Sequence, residues 1–127
     1  MKLRCTHNSI RLRLRKSDIE ALQTTGFVQE GIQLAPATQF CFELRLVENS
    51  PEQAASFQDQ CLTVYLSEVQ ASRWINSQEV SLEYMHPITG SETLHILIEK
   101  DFPCLDRPNE DQSDTFWELA SGEAEAC

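Results

Sequence analysis

The sequence predicts an α+β domain made of short strands and two short helices. Three observations carry this. Apolar and polar residues alternate strictly in several short stretches, which is the period of half-buried strands. Two stretches, at Ser17 and Ser67, open instead with helix-start signals. Some neighbouring strands have no helix between them, which excludes an alternating parallel α/β fold.

In chain order, residues 1–6 have strand character, with a turn near His7 and Asn8. Residues 9–15 then place Ile10, Leu12 and Leu14 on one face and Arg11, Arg13 and Arg15 on the other. Ser17-Asp-Ile-Glu20 reads as a capping box that opens a helix over 17–25, with Gly26 placed to end it. A weak strand is predicted over 27–34 and a strong one over 40–48, where Phe42, Leu44 and Leu46 face inward. Residues 49–60 are polar, contain Pro51 and read as the main connecting loop, with room for a turn of helix at 51–57. Strand character returns at 61–66. Ser67-Glu-Val-Gln70 opens a second helix through Ile75. Strands follow over 79–85 and 92–99, joined by a turn at Pro87-Ile-Thr-Gly90.

The apolar positions of residues 9–48 fall on those of 61–100 at a constant offset of 52, with Leu22 on Trp74 and Leu44 on Ile96. This predicts a duplicated βαββ unit, forming a mostly antiparallel sheet or small barrel with Leu22 and Trp74 in a common core. Including residues 1–6, the order can also be parsed as ββαβ twice plus a final strand.

The 127 residues suit one domain, expected over 1–105, followed by an acidic tail over 106–127. The chain holds 20 acids and 10 bases, a net charge of -10. The charge is uneven: +3 over residues 1–30, -6 over 31–100 and -7 over 101–127. A chain this acidic is repelled by phosphate, so nucleic acid is not an expected partner. No apolar run reaches the ~20 residues of a membrane span, and residues 1–16 lack the apolar block of a signal peptide. A cytoplasmic protein is expected. Its five cysteines are odd in number and contain no CxxC pair, which predicts reduced thiols.

Two resemblances accompany this pattern. The opening Met1-Lys2-Leu3-Arg4, Asn8-Ser-Ile-Arg-Leu-Arg-Leu14, Ile98-Glu-Lys-Asp-Phe-Pro-Cys-Leu105 and Asn109-Glu-Asp-Gln-Ser-Asp114 resemble a family of small uncharacterised bacterial proteins. That likeness implies a bacterial origin and a compact domain, and supplies no activity. Residues 8–16 with 19–22 resemble the strand–helix segment of transition-state regulators and antitoxins, whose swapped-hairpin barrels bind DNA. The proline usual before the helix in those proteins is absent here.

No nucleophile elbow, zinc-binding HExxH, phosphate loop or dinucleotide fingerprint is present, so no cofactor is expected and an enzyme is the less favoured reading. The favoured reading is a binding protein acting through a protein partner or a second copy of itself. Its candidate contacts are Arg11, Arg13, Arg15, Phe116 and Trp117. The two adjacent aromatics should fold the tail back, bringing tail carboxylates near the arginines. The alternatives are a metal- or thiol-dependent enzyme using His86, His95, Cys104 and tail carboxylates, and a regulator of the swapped-barrel type.

Overall fold

The computed structural model describes residues 1–102 and 113–119. Eight strands and two helices follow the order β1 Lys2–Thr6, β2 Ser9–Leu14, α1 Lys16–Thr25, β3 Phe27–Ala35, β4 Thr38–Val47, β5 Ala55–Gln58, β6 Cys61–Ser67, α2 Glu68–Ile75, β7 Ser81–Pro87 and β8 Thr93–Lys100. The strands make two four-stranded mixed sheets, ordered β1-β2-β8-β7 and β3-β4-β6-β5. The class is α+β, with more strand than helix.

Each sheet combines one hairpin from each half of the chain. The hairpins are antiparallel, and their inner strands meet in parallel as β2–β8 and β4–β6. The alternation seen in β2 buries Ile10, Leu12 and Leu14 against Ile96 and Ile98 of β8. In the other sheet Val28, Leu44, Val64 and Leu66 close the same core. The helices add Ile19 and Leu22 from α1, and Ala71 and Trp74 from α2. Leu22 and Trp74 are both 0% exposed, and the Trp74 indole N–H donates to the Val80 carbonyl at 3.2 Å.

The repeated unit is strand-strand-helix-strand-strand, one strand longer than βαββ. The additional strand, β5, lies in the stretch expected to be a loop. It pairs with β6 through a two-residue turn, Asp59-Gln60, in which both residues have positive φ, 52° and 63°. This backbone suits a tight hairpin, but Asp-Gln carries none of the glycine that usually marks one.

The repeat has two offsets. The β1–β2 hairpin and α1 map onto β5–β6 and α2 at 52. The later strands map at 54, because Leu12 pairs with Ile98 whereas Val64, 52 residues on from Leu12, pairs with Leu44. Leu44 thus corresponds to Ile98, and Phe42 to Ile96. A slip of two preserves strand phase, so the apolar pattern cannot register it.

The helix caps also differ from expectation at one end. Ser67 caps α2 as predicted, accepting the Gln70 N–H at 3.2 Å. At α1 the Ser17–Glu20 box does not form. The helix begins one residue earlier, Arg15 N–H donates to Asp18 Oδ2 at 2.8 Å, and Ser17 turns to the tail. Gly26 ends α1 as predicted, at φ 87°, with its N–H on the Leu22 carbonyl at 2.9 Å.

Cys41 and Cys61 sit directly opposite one another across β4–β6 and are joined as a disulfide, where free thiols were expected. Their pairing follows from strand register, which their separation of 20 residues does not reveal. Cys5 is free and exposed.

Candidate functional site

The arginine stripe is partly neutralised from within. Arg11 and Arg13 both donate through Nε to Glu99 Oε1, at 2.7 and 2.6 Å, and Glu99 is buried on the neighbouring strand β8. The Arg13 guanidinium also lies 5.6 Å from the centre of the Phe102 ring. Arg15 faces Asp114 of the tail at 3.6 Å. Among the three arginines, only Arg15 meets a described tail carboxylate.

Residues 113–119 pack against the start of α1. The Asp114 carboxylate accepts the Ser17 N–H at 3.0 Å and the Ser17 hydroxyl at 2.5 Å, while its backbone carbonyl accepts the Lys16 N–H at 3.2 Å. The two Ser17 bonds, the hydroxyl's most of all, hold the Asp114 carboxyl below the usual carboxylate range. Phe116 is half-buried against the core, with the Lys16 and Lys100 ammonium groups each 5.7 Å from its ring centre. Trp117 opens a single 3-10 turn, Trp117–Leu119, and is 62% exposed. Among the described residues, Phe116 is the tail ring packed against the core.

The histidine candidates do not come together. Met85 pairs with His95, and His86 with Leu94, so consecutive register positions put the two imidazoles on opposite faces of one sheet. His95 lies 3.5 Å from Glu83, and Cys104 lies outside the described residues. Among the described residues, no group of three His, Cys, Asp or Glu side chains could hold a metal ion.

Among the described residues, two open surfaces carry phenylalanine or tyrosine side chains. The first is the end of the β3-β4-β6-β5 sheet formed by the β3–β4 and β5–β6 turns, towards which burial along both hairpins falls off. Ile32 pairs with Phe40, Phe42 with Leu62, and Leu62 with Phe57, so these residues share one face. The Phe40 ring lies 6.3 Å from Phe42 and 6.4 Å from Phe57. Phe42 is buried in the core, whereas Ile32, Leu34 and Phe57 are 48%, 63% and 64% exposed. No charged residue occurs between Glu30 and Glu43.

The second is a cavity of about 240 Å³ where α2 begins, between β7 and the segment that leads into β5. Gln70, Tyr84, His86, Ile96 and Pro51 line it. The Tyr84 hydroxyl donates to Gln70 Oε1 at 2.9 Å, and burial raises the phenol above its ordinary value. The cavity adjoins a wider, open recess of about 770 Å³ that includes Glu48 and Glu52. Ser50, Pro51 and Tyr65 border both.

A model of a family of unknown function matches residues 1–119, nearly the whole chain. The chain belongs to the DUF7009 family. No curated protein and no solved structure matches it. The match to DUF7009 spans both sheets, both helices and the tail segment through Leu119, so the docked tail lies inside the family's extent. No helix among the described residues is long and apolar enough to cross a membrane.

Neither open surface of this DUF7009 chain was named by sequence reasoning. The sheet end could have been found from its uncharged run of residues 31–42 in a chain with 24% charged residues. The cavity has no sequence signature, because Gln70 and Tyr84 meet only through tertiary packing.

Proposed function

We propose that this chain is a binding protein without catalytic activity, and that its contact surface is the apolar end of the β3-β4-β6-β5 sheet, where Asp59 of the β5–β6 turn is the charged residue at the rim. The occupant is a second copy of the chain. The observation that carries the reading is the aromatic cluster that runs from buried Phe42 through half-buried Phe40 to exposed Phe57, continued outward by Ile32 and Leu34. Two copies with a net charge of -10 each repel. They approach at least cost where surface charge is sparse, and interface cores are depleted in charge. β3 is also an edge strand whose outer backbone groups are open to pairing, and it carries no charge beyond Glu30. An isologous contact closes on itself as a two-fold dimer.

Fully burying a side chain such as Phe57, Leu34 or Ile32 contributes roughly 1.5–3 kcal/mol. Association costs about 4–15 kcal/mol. The expected dimer is therefore concentration-dependent rather than obligate. Arg11 and Arg13 are drawn inward to the single Glu99 carboxylate, which offsets one of their two charges.

Sedimentation velocity over a concentration series tests the reading. The mass should rise from 14.5 kDa towards twice that value. Ile32→Lys with Phe57→Lys should hold it at the monomer, with unchanged circular dichroism. A native chain that stays monomeric at the highest soluble concentration overturns self-association.

A further inference from the structure

We propose that the cavity at the start of α2 binds an uncharged single-ring amide, such as a lactam or an aromatic carboxamide. The fold contains its own comparison for this site. Gln70 and Tyr84 correspond, at offsets of 52 and 54, to Asp18 and Glu30, and the opposing Ile96 corresponds to Phe42. In the first half that frame is filled. Met1 is buried there, with its ammonium 2.8 Å from Asp18 and 2.9 Å from Glu30. The occupant brings donors, and the frame answers with two carboxylate acceptors.

In the second half the acids are replaced by an amide and a phenol, and the space is open. Among the described residues lining it, none carries a carboxylate, ammonium or guanidinium group. Tyr84 spends its proton on Gln70 Oε1. Gln70 then keeps its NH₂ as a donor, and the Tyr84 oxygen keeps its lone pairs as an acceptor. A ligand with adjacent C=O and N–H groups answers both: its carbonyl accepts from Gln70 and its N–H donates to Tyr84. Pro51 and Ile96 supply apolar walls for a ring. At ~30 Å³ per water, a cavity of about 240 Å³ admits a single ring. A ring substituent would extend into the outer recess beside Glu48 and Glu52, which disfavours a phosphate.

Titration of ¹⁵N-labelled full-length protein, followed by amide NMR, tests the proposal with uracil and nicotinamide as probes. Saturable shifts are expected at the Gln70 side-chain amide and around residues 50–54 and 84–86. 1,3-Dimethyluracil, which lacks the N–H groups, and uridine monophosphate, which adds a phosphate, should each bind at least about tenfold more weakly. Gln70→Leu and Tyr84→Phe should each weaken uracil binding by a similar factor while leaving the rest of the spectrum in place. Absence of saturation with both probes overturns the proposal. So does equal binding of dimethyluracil, which would reduce the site to an apolar hole. Unchanged affinity in both variants overturns it as well.

Discussion

Asp18 and Gln70 each stand three residues beyond a helix N-cap, and Glu30 and Tyr84 occupy matching places on the strands that follow. At the first-half end the two carboxylates take up the Met1 ammonium, and the frame is closed. At the second-half end the amide and phenol bond each other and leave a cavity of about 240 Å³. One pairing scheme thus supports a filled end and an open end. The difference lies in two side-chain replacements and in the Met1 occupant, while the strand pairing is shared. A duplicated scaffold can keep one end for stability and release the other for binding.

The largest expected effect tests whether the halves share one core. Leu22→Ala and Trp74→Ala remove matching, fully buried side chains from α1 and α2. Costs of about 2–5 and 3–5 kcal/mol respectively are expected from chemical denaturation. A Trp74→Ala cost below about 1 kcal/mol would mean that the indole is not a core anchor, and the comparison of a common core would break.

The next pair addresses the two ends directly. Asp18→Asn leaves the buried Met1 ammonium with Glu30 as its remaining carboxylate partner, and should cost about 1–3 kcal/mol. Gln70→Leu removes one neutral hydrogen bond beside an open cavity and should cost less than about 1 kcal/mol. Equal costs, measured by the same denaturation, would remove the energetic meaning of filled and open.

Phe116→Ala follows in size, at roughly 1–2 kcal/mol for a half-buried ring. Its effect should change little with added salt. The neighbouring Lys16–Glu118 pair, 3.3 Å apart and exposed, contributes at most about 1 kcal/mol and is screened. A strong salt dependence would show that charge rather than the ring holds the tail.

Much of the scaffold was legible in the sequence because its elements are amphipathic and local. β2, β4, β6 and β8 declare themselves by period two, and α2 by Ser67 and Gln70. β5 was missed since Ala-Ser-Phe-Gln is short and its turn lacks glycine. The offset of 54 was hidden because a two-residue slip conserves every inward position. The burial of Trp74 and the proximity of the tail to Arg15 were readable from the helical spacing and the charge map. Other features depend on register between distant strands: the convergence of Arg11 and Arg13 on Glu99, the Cys41–Cys61 bond and the Gln70–Tyr84 cavity. No spacing in a single chain encodes them.

The smallest effect separates the two helix caps. α2 is capped by its own Ser67 hydroxyl, whereas α1 receives the carboxylate of Asp114 from 97 residues away. Each cap is worth about 0.5–2 kcal/mol, and Asp114 should fall at the low end because its side chain is 35% exposed. The caps differ in what titrates. Hydrogen bonds from Ser17, first its hydroxyl, lower the Asp114 carboxyl below its ordinary 3.8 in the folded protein. A lowered carboxylate stabilises fully above the unfolded value, and the stabilisation is lost as pH falls through the folded one. The Ser67 hydroxyl does not ionise in this range. The stability difference between the native chain and Asp114→Asn should therefore be constant at neutral pH and fade below 3.8, whereas that for Ser67→Ala should not move. Stability curves for the three proteins across this range provide the check. If both differences fade together, the loss belongs to acid unfolding of the whole domain, and the tail carboxylate is not the cap that distinguishes α1 from α2.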